Sequence, residues 1–319
     1  MPHDARTGVG WLQIWSSRCN RASSMRRAGP FPLTPFALSL VTIVVTFAGG
    51  TRARADWLAP LTVETAETIP SGQLDLALGA SYFQNARFPA FTPPGFIHHQ
   101  DLTAVPQIGL RAAAGDMVEV QASYEFLDLN ESTVDGHHSV YGGGDARLFT
   151  KIYVVAERTW IPAMGVRFGT KLPNANSSKR LGTDEFDWAL QWLGSKHIGA
   201  FTTYANLGIA LLGNPGFDQA NSRGQDDLFI YAVGLTSPTV GVDSAGAWSV
   251  RFLTEAAGTA GSRFNNNGDA VRAGLQLIHG GFTLYAGASA GLYSAAEKYG
   301  VMGGVIYAFE VERLVGLFK

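Results

Sequence analysis

The sequence predicts an all-β fold: a membrane-spanning antiparallel up-and-down β-barrel of about 12 strands, with long external loops and short periplasmic turns. Three observations lead there. From about Leu74 to Phe309, short segments alternate apolar and polar residues; Phe186, Trp188, Leu190 and Trp192 have Asp187 and Gln191 between them. The gaps separating these segments are polar and Gly-rich, and they alternate long and short. An export signal precedes them all. Period two sends one set of residues to each face of a sheet. A closed barrel in a bilayer satisfies every backbone group and can turn its apolar face to lipid. A large soluble all-β domain is the alternative that the length allows.

The leader comes first. Arg26 and Arg27 are basic, and Phe36 to Ala48 is an apolar run of 13 residues. That suits the core of a signal peptide and falls short of the roughly 20 residues a spanning helix needs. Ala53-Arg54-Ala55 fits the small-x-small cleavage rule, so residues 1–55 are expected to be a signal peptide and the mature chain to start at Asp56. Met25 offers a second start codon. Seven arginines and one aspartate fall in the leader; the 24 basic and 26 acidic residues of the chain then leave 17 and 25, a net charge of −8. An acidic exported chain without a basic stripe argues against nucleic acid as a partner. The single cysteine, Cys19, also lies in the leader, which excludes a disulfide-stapled module and a thiolate metal site.

Residues 56–70 read as an extended periplasmic lead-in, 71–309 as the barrel and 310–319 as a C-terminal tail. The expected strands are Gly72–Gln84, Leu102–Ala113, Met117–Leu129, Gly144–Glu157, Ala163–Leu172, Glu185–Lys196, Ala200–Leu212, Asp227–Ser237, Ala247–Ala257, Asp269–His279, Phe282–Leu292 and Tyr299–Phe309. Short links follow the even strands: Ala114-Gly115-Asp116 is a tight turn, Pro162 sits where a missing N–H does no harm, and Gly280-Gly281 joins two late strands. Long gaps follow the odd strands, notably Asn85–Gln100, Asn130–Gly143, Pro173–Asp184 and Gly213–Asp226. Pro238–Gly246 is long for a periplasmic turn.

The polar face carries Asp75, Gln107, Arg111, Glu119, Glu125, Asp145, Arg147, Lys151, Arg167, Lys171, Asp187, Arg251, Glu255 and Arg272. A charge at mid-membrane on the lipid face costs on the order of 2–4 kcal/mol, so these residues are expected to point inward. Mixed signs on neighbouring strands predict cross-strand ion pairs. Such pairs either hold the wall together or line a solute path. The candidate lumen-lining residues are Arg111, Glu119, Glu125, Arg147, Lys151, Arg167, Lys171, Asp187, Arg251, Glu255 and Arg272.

Enzyme and metal chemistry find little support. His138-Ser139 is the local pair that a lipid hydrolase reading would use, but sequence neighbours rarely place hydroxyl and imidazole within reach. His98-His99 and His137-His138 lie in expected loops without carboxylates at ligand spacing. Gly142-Gly143-Gly144 has no Lys-Ser/Thr after it and opens a strand, so it is no phosphate loop. Trp188, Trp192, Tyr204, Trp248, Tyr285 and Tyr307 belong either to interfacial girdles or to the core of a soluble sandwich. The first long loop, with Phe88, Phe91, Pro93, Pro94 and Phe96, is apolar enough to fold inward over a pore or to pack on its own rim.

The stretch Gly165 to Asn214 has a strand ending Lys171-Leu172-Pro173, a polar loop to Gly182-Thr183-Asp184, and a strand ending Asn206-Leu207-Gly208. It resembles the outer-membrane β-barrel family named for the MetA pathway of phenol degradation. The motif region covers about a sixth of the chain. The resemblance implies a transporter of the Gram-negative outer membrane and supplies no catalytic residues. The chain departs from common barrels at its end: Gly303 to Phe309 looks like a final aromatic strand for the insertion machinery, yet Glu310 to Lys319 follow.

The sequence therefore predicts a non-enzymatic, porin-like channel needing no cofactor, through which a small solute, hydrophobic or aromatic, passes passively. Its partners would be outer-membrane lipid, that solute and the insertion machinery. A closed structural or adhesive barrel with partner-binding loops is the second reading, and an outer-membrane lipid hydrolase the third.

Overall fold

Alternation of large apolar and polar residues gives each segment two unlike faces, and a computed structural model shows how the segments share them. The structure describes residues 61–86, 97–133, 136–213, 227–241, 248–261, 268–292 and 296–311. Their strands are β1 (Gln73–Gln84), β2 (Ile97–Ala113), β3 (Val118–Thr133), β4 (Gly136–Gly143), β5 (Arg147–Val155), β6 (Ala163–Lys171), β7 (Asp187–Ile198), β8 (Phe201–Leu211), β9 (Leu228–Thr236), β10 (Val240–Gly241), β11 (Ser249–Gly261), β12 (Gly268–His279), β13 (Phe282–Gly291) and β14 (Tyr299–Glu310).

Each strand pairs antiparallel with its neighbour, and β1 pairs with both β2 and β14, which closes the sheet. The ring holds 12 strands: β4 pairs only with the far end of β3, and β10 only with β11, while β9 and β11 pair directly. Closure removes both edges, which a bilayer would otherwise leave unsatisfied. No helix among the described residues is long and apolar enough to cross a membrane.

Register fixes the faces. On β7 Trp188, Leu190 and Trp192 are exposed, and on β8 Leu207, Ile209 and Leu211 are exposed beside them. Exposed Phe229 and Val233, Phe252, Val271, Leu284 and Val301 continue that outer face around the ring. The opposite positions are polar and buried: Asp75, Glu119, Gln121, Lys151, Ser195, Asn206, Glu255 and Gln276. The inversion, oil outside and charge inside, is what a barrel in hydrocarbon requires.

Several expectations shift. The gap Asn130–Gly143 is not a loop: β3 runs on to Thr133 and β4 returns beside it, making a hairpin that outruns the ring. Beyond the bilayer both faces of such a hairpin can be polar, which erases the alternation that would reveal it. The fourth ring strand consequently begins at Arg147 and ends at Val155. Pro238–Gly246 contains β10, whose Val240 pairs with Val250. Two girdle candidates face inward instead: Tyr204 is 7 % exposed, and the Tyr285 hydroxyl lies over Gly79 and Gly304, where an added Cβ would come within 2.5 and 2.7 Å of it. Only residues without a Cβ leave room for that ring. The leader, the first-loop residues 87–96 and the tail beyond Val311 lie outside the described residues.

The main departure is the lead-in. Its described residues, 61–70, form no strand and run inside the ring. Val63, Ala66 and Ile69 are at most 2 % exposed. Ala66 packs with inward-facing Ala163 and Leu193.

Candidate functional site: a charged lumen

The inner face is a set of ion pairs bridging neighbouring strands. Arg111 on β2 binds Asp75 on β1 at 2.9 Å. Arg147 on β5 binds Glu125 on β3 at 2.7 Å. Lys151 on β5, its side chain only 1 % exposed, lies 3.2 Å from Glu119 on β3. Arg167 on β6 donates Nε–H to Gln121 Oε1 and an Nη1–H to Gln191 Oε1, both at 2.8 Å, and its guanidinium stacks 3.7 Å over the Phe149 ring. Antiparallel register places the partners side by side: Glu119 opposite Lys151, Asp75 opposite Arg111, and Lys171 opposite Asp187.

The remaining candidates are spread out. Lys171 lies 2.7 Å from Asp187 and 3.4 Å from Asp145, and donates to the Thr183 hydroxyl at 2.5 Å. Arg272 lies 3.6 Å from Glu297. Arg251 donates to the Thr239 hydroxyl at 3.2 Å, near the short turns and away from the central pairs. Glu255 does not pair with Arg272 across the register that opposes them; it accepts instead from the Thr62 backbone N–H, at 2.9 Å and 3.1 Å, and from the Thr62 hydroxyl at 2.6 Å.

Segment 61–70 completes the site. The Glu64 N–H donates to Asn206 Oδ1, and the Asn206 amide donates back to the Glu64 carbonyl, each at 2.8 Å. The Ala66 N–H donates to Ser195 Oγ and the Ile69 N–H to Glu119 Oε2, both at 2.8 Å. The Glu64 carboxylate reaches Lys151 at 3.7 Å and Arg167 at 3.9 Å. Glu64, Ser195 and Asn206 were not among the candidates. Ser195 and Asn206 are uncharged, and Glu64 stands in a stretch whose apolar residues, Leu61, Val63, Ala66 and Ile69, keep no strict period of two. The one available signal was the alternation Thr62-Val63-Glu64 just ahead of the first strand.

Two cavities flank the segment. One of about 320 Å³ lies between it and the wall at Glu64, Asp75, Arg111, Arg147, Arg167 and Tyr285. The other, about 650 Å³, opens at the short turns and is lined by hydroxyls, among them Thr65, Tyr153, Thr202, Tyr204 and Thr236, with Glu157 and His197. Glu157, in the turn after β5, lies 2.6 Å from His197 Nδ1 and 2.9 Å from Lys196 Nζ. Burial pushes its carboxyl up, but the hydrogen bonds from His197 and Lys196 outweigh that and bring it down to about 2.

At the opposite end the loop after β6 folds onto the inner wall. Leu181 is buried against Ala104 and Leu127. Arg180 binds Glu131 at 2.7 Å, and the Ala175 N–H donates to Asp145 at 2.9 Å. Ser139 does not meet His138: its hydroxyl donates to Asp128 at 3.2 Å, while half-buried Ser132 and exposed His137 lie 2.7 Å apart. Among the described residues no group of His, Cys, Asp and Glu is arranged to hold a metal ion.

The fold is similar to that of an outer membrane channel from Pseudomonas putida F1, with a TM-score of 0.53 and 14 % identity over 79 % of this chain and 100 % of that one. The NanC porin (TM-score 0.43, 10 % identity, 73 % and 98 % covered) and the translocator domain of the autotransporter NalP from Neisseria meningitidis (0.45, 14 %, 75 % and 89 %) are more distant. No family model and no curated protein matches the chain. The chain thus has the fold of the outer-membrane β-barrels: a closed ring of 12 antiparallel strands.

Proposed function

We propose that the protein is a channel of the Gram-negative outer membrane, reached through a cleaved signal peptide, and that a small solute crosses passively through its lumen. The observation that carries this reading is the inner face: paired charges of both signs, from Asp75 to Arg272, with cavities between them. A wall meant only to be closed could pack its interior with apolar side chains and spare the desolvation of so many ions. Charged residues kept inside a barrel tune what passes. The loop after β6 would then face outside and the short turns the periplasm. A hydrophobic or aromatic solute is the finer reading; it rests on the resemblance to the phenol-degradation family and on the apolar residues of the first loop.

One observation favours a closed structural barrel: space inside the ring is taken up by residues 61–70, bonded to Ser195 and Glu119, and by Leu181, buried against the inner wall. Planar-bilayer conductance of the purified mature protein, with liposome swelling in small solutes, separates the two. The channel reading predicts discrete current steps and swelling. Absence of both in a barrel whose gel migration proves it folded would leave the structural reading.

A further inference from the structure

The inner wall has a recess where large and charged side chains give way to small ones. Across β1, β2 and β3 one register row reads Ala77, Gly109 and Ser123. It continues to Ile306 of β14 on one side and to Arg147 of β5 on the other. A Cβ on Gly109 would meet only the Ala77 Cβ within 4 Å, at 3.3 Å, so open space lies in front of the row. Ser123 shares the inward parity of Gln121 and Glu125, yet it is exposed. The cavity of about 320 Å³ fills this recess, and its walls are of two kinds. Ile306, Ala77, Phe149 and the Tyr285 ring are apolar. Phe149 stands on β5 midway between inward-facing Arg147 and Lys151, where the rest of the lumen would lead one to expect a polar residue. Beside this apolar half stand Arg111, Arg147 and Arg167, three guanidiniums against the two carboxylates Glu64 and Asp75.

We propose that this recess binds a small organic acid, its carboxylate on the arginines and its apolar body over Phe149 and Ala77; what this means for passage rests on the channel reading. The guanidiniums have donors to give, since each carries five N–H groups. Among the described residues Arg111 donates one hydrogen bond, to Asp75 Oδ2 at 2.9 Å, and Arg147 one, to Glu125 Oε1 at 2.7 Å. Arg167 commits Nε and Nη1 to Gln121 and Gln191, which fixes its plane over Phe149 and leaves Nη2 3.9 Å from Glu64. The wall thus holds the arginines in place before any solute arrives, which lowers the ordering cost of binding. A carboxylate accepts two parallel N–H bonds from one guanidinium, and a neutral alcohol has no charge to match. A hydrated inorganic anion would leave the apolar half of the recess unused. An acid with a hydrocarbon body uses both halves. Ligand sites span about 300–1,000 Å³. A cavity at the small end of that range suits a single ring.

The test is equilibrium dialysis of labelled benzoate against the folded protein in non-ionic micelles, with empty micelles subtracted. Heat-modifiable migration checks the fold of every variant. Saturable binding at one site per barrel is expected. Benzyl alcohol, a similar ring without the charge, should show none. Arg147→Gln leaves Glu125 the Gln107 amide as a donor at 3.3 Å. It should weaken benzoate by about ten-fold or more, through loss of a charge-assisted hydrogen bond. Ser123→Leu keeps all three arginines, fills the recess and should abolish binding. Lys179→Gln removes an exposed cation from the loop after β6 and should change nothing. Absence of saturable binding by the folded protein would overturn the subsite. Equal binding of benzyl alcohol would do the same, as would full affinity in both Arg147→Gln and Ser123→Leu. Planar bilayers separate the subsite from the channel reading: benzoate should reduce the potassium chloride current of the unaltered protein at concentrations that leave Arg147→Gln unaffected. Saturable binding to a barrel that passes no current would keep the subsite and overturn the channel. A current that benzoate does not alter, without saturable binding, would overturn the subsite and keep the channel.

Discussion

The two ends of the lumen are occupied by different physics. Toward the long loops, Leu181 is an apolar side chain buried against Ala104 and Leu127 on the inner wall, with the Arg180–Glu131 ion pair nearby in the sequence. Toward the short turns, the occupant is backbone, held by Glu119, Ser195, Asn206 and Glu255, with Lys151 buried behind Glu119. An apolar dock loses strength smoothly as contact area falls. A buried ionic seat fails abruptly, because removing one partner strands the other charge. The loop end should therefore yield gradually to mutation and the turn end sharply.

The largest expected effect follows. Lys151→Ala leaves Glu119 buried without its cation and should cost about 3–5 kcal/mol, read as a lowered urea midpoint for loss of heat-modifiable migration in micelles. Lys151→Met, equally apolar, should do no better, since the penalty lies in the stranded carboxylate. Leu181→Ala at the other end should cost about 2 kcal/mol of loop docking. It should appear as faster proteolysis between residues 173 and 186, with the urea midpoint of the barrel unchanged. If both variants moved the same midpoint equally, the contrast between the ends would be gone.

A control sits on the wall away from both. Gly79→Ala drives a Cβ into the Tyr285 hydroxyl and toward the Gly303 carbonyl, an overpacking worth about 1–2 kcal/mol. Tyr285→Phe should recover part of that loss by removing the oxygen. The smallest effect concerns acid. The Glu157 carboxyl is held at about 2 in the folded protein, against 4.5 without its surroundings. A depressed folded value means that this contribution is complete above about 4.5 and is lost as pH falls toward about 2. Thermal unfolding followed down that range should show a loss that Glu157→Gln lacks.

Which parts were legible in the sequence has a physical explanation. Residues Phe201–Leu211 alternate throughout and Leu61–Glu64 alternate briefly, yet one is wall and the other lies inside. Period two reports only an extended chain. Hydrocarbon adds a demand for bulk on one face, which Leu207, Ile209 and Leu211 meet and Val63 and Ala66 do not. Paired wall charges such as Glu119–Lys151 were legible as inward residues because their cost on the other face is so high. Ser195 and Asn206 were silent because a hydroxyl or an amide is tolerable in several settings. Tyr204 and Tyr285 were ambiguous because an aromatic ring suits an interface and an interior equally well; Tyr204 is buried, and Tyr285 fits over Gly79 and Gly304.

The central claim is that the exposed apolar face around the ring meets hydrocarbon, and cell fractionation tests it most directly. The processed polypeptide should sediment with the outer membrane, leave it only in detergent, and migrate differently before and after boiling. A freely soluble monomer recovered without detergent would contradict the account.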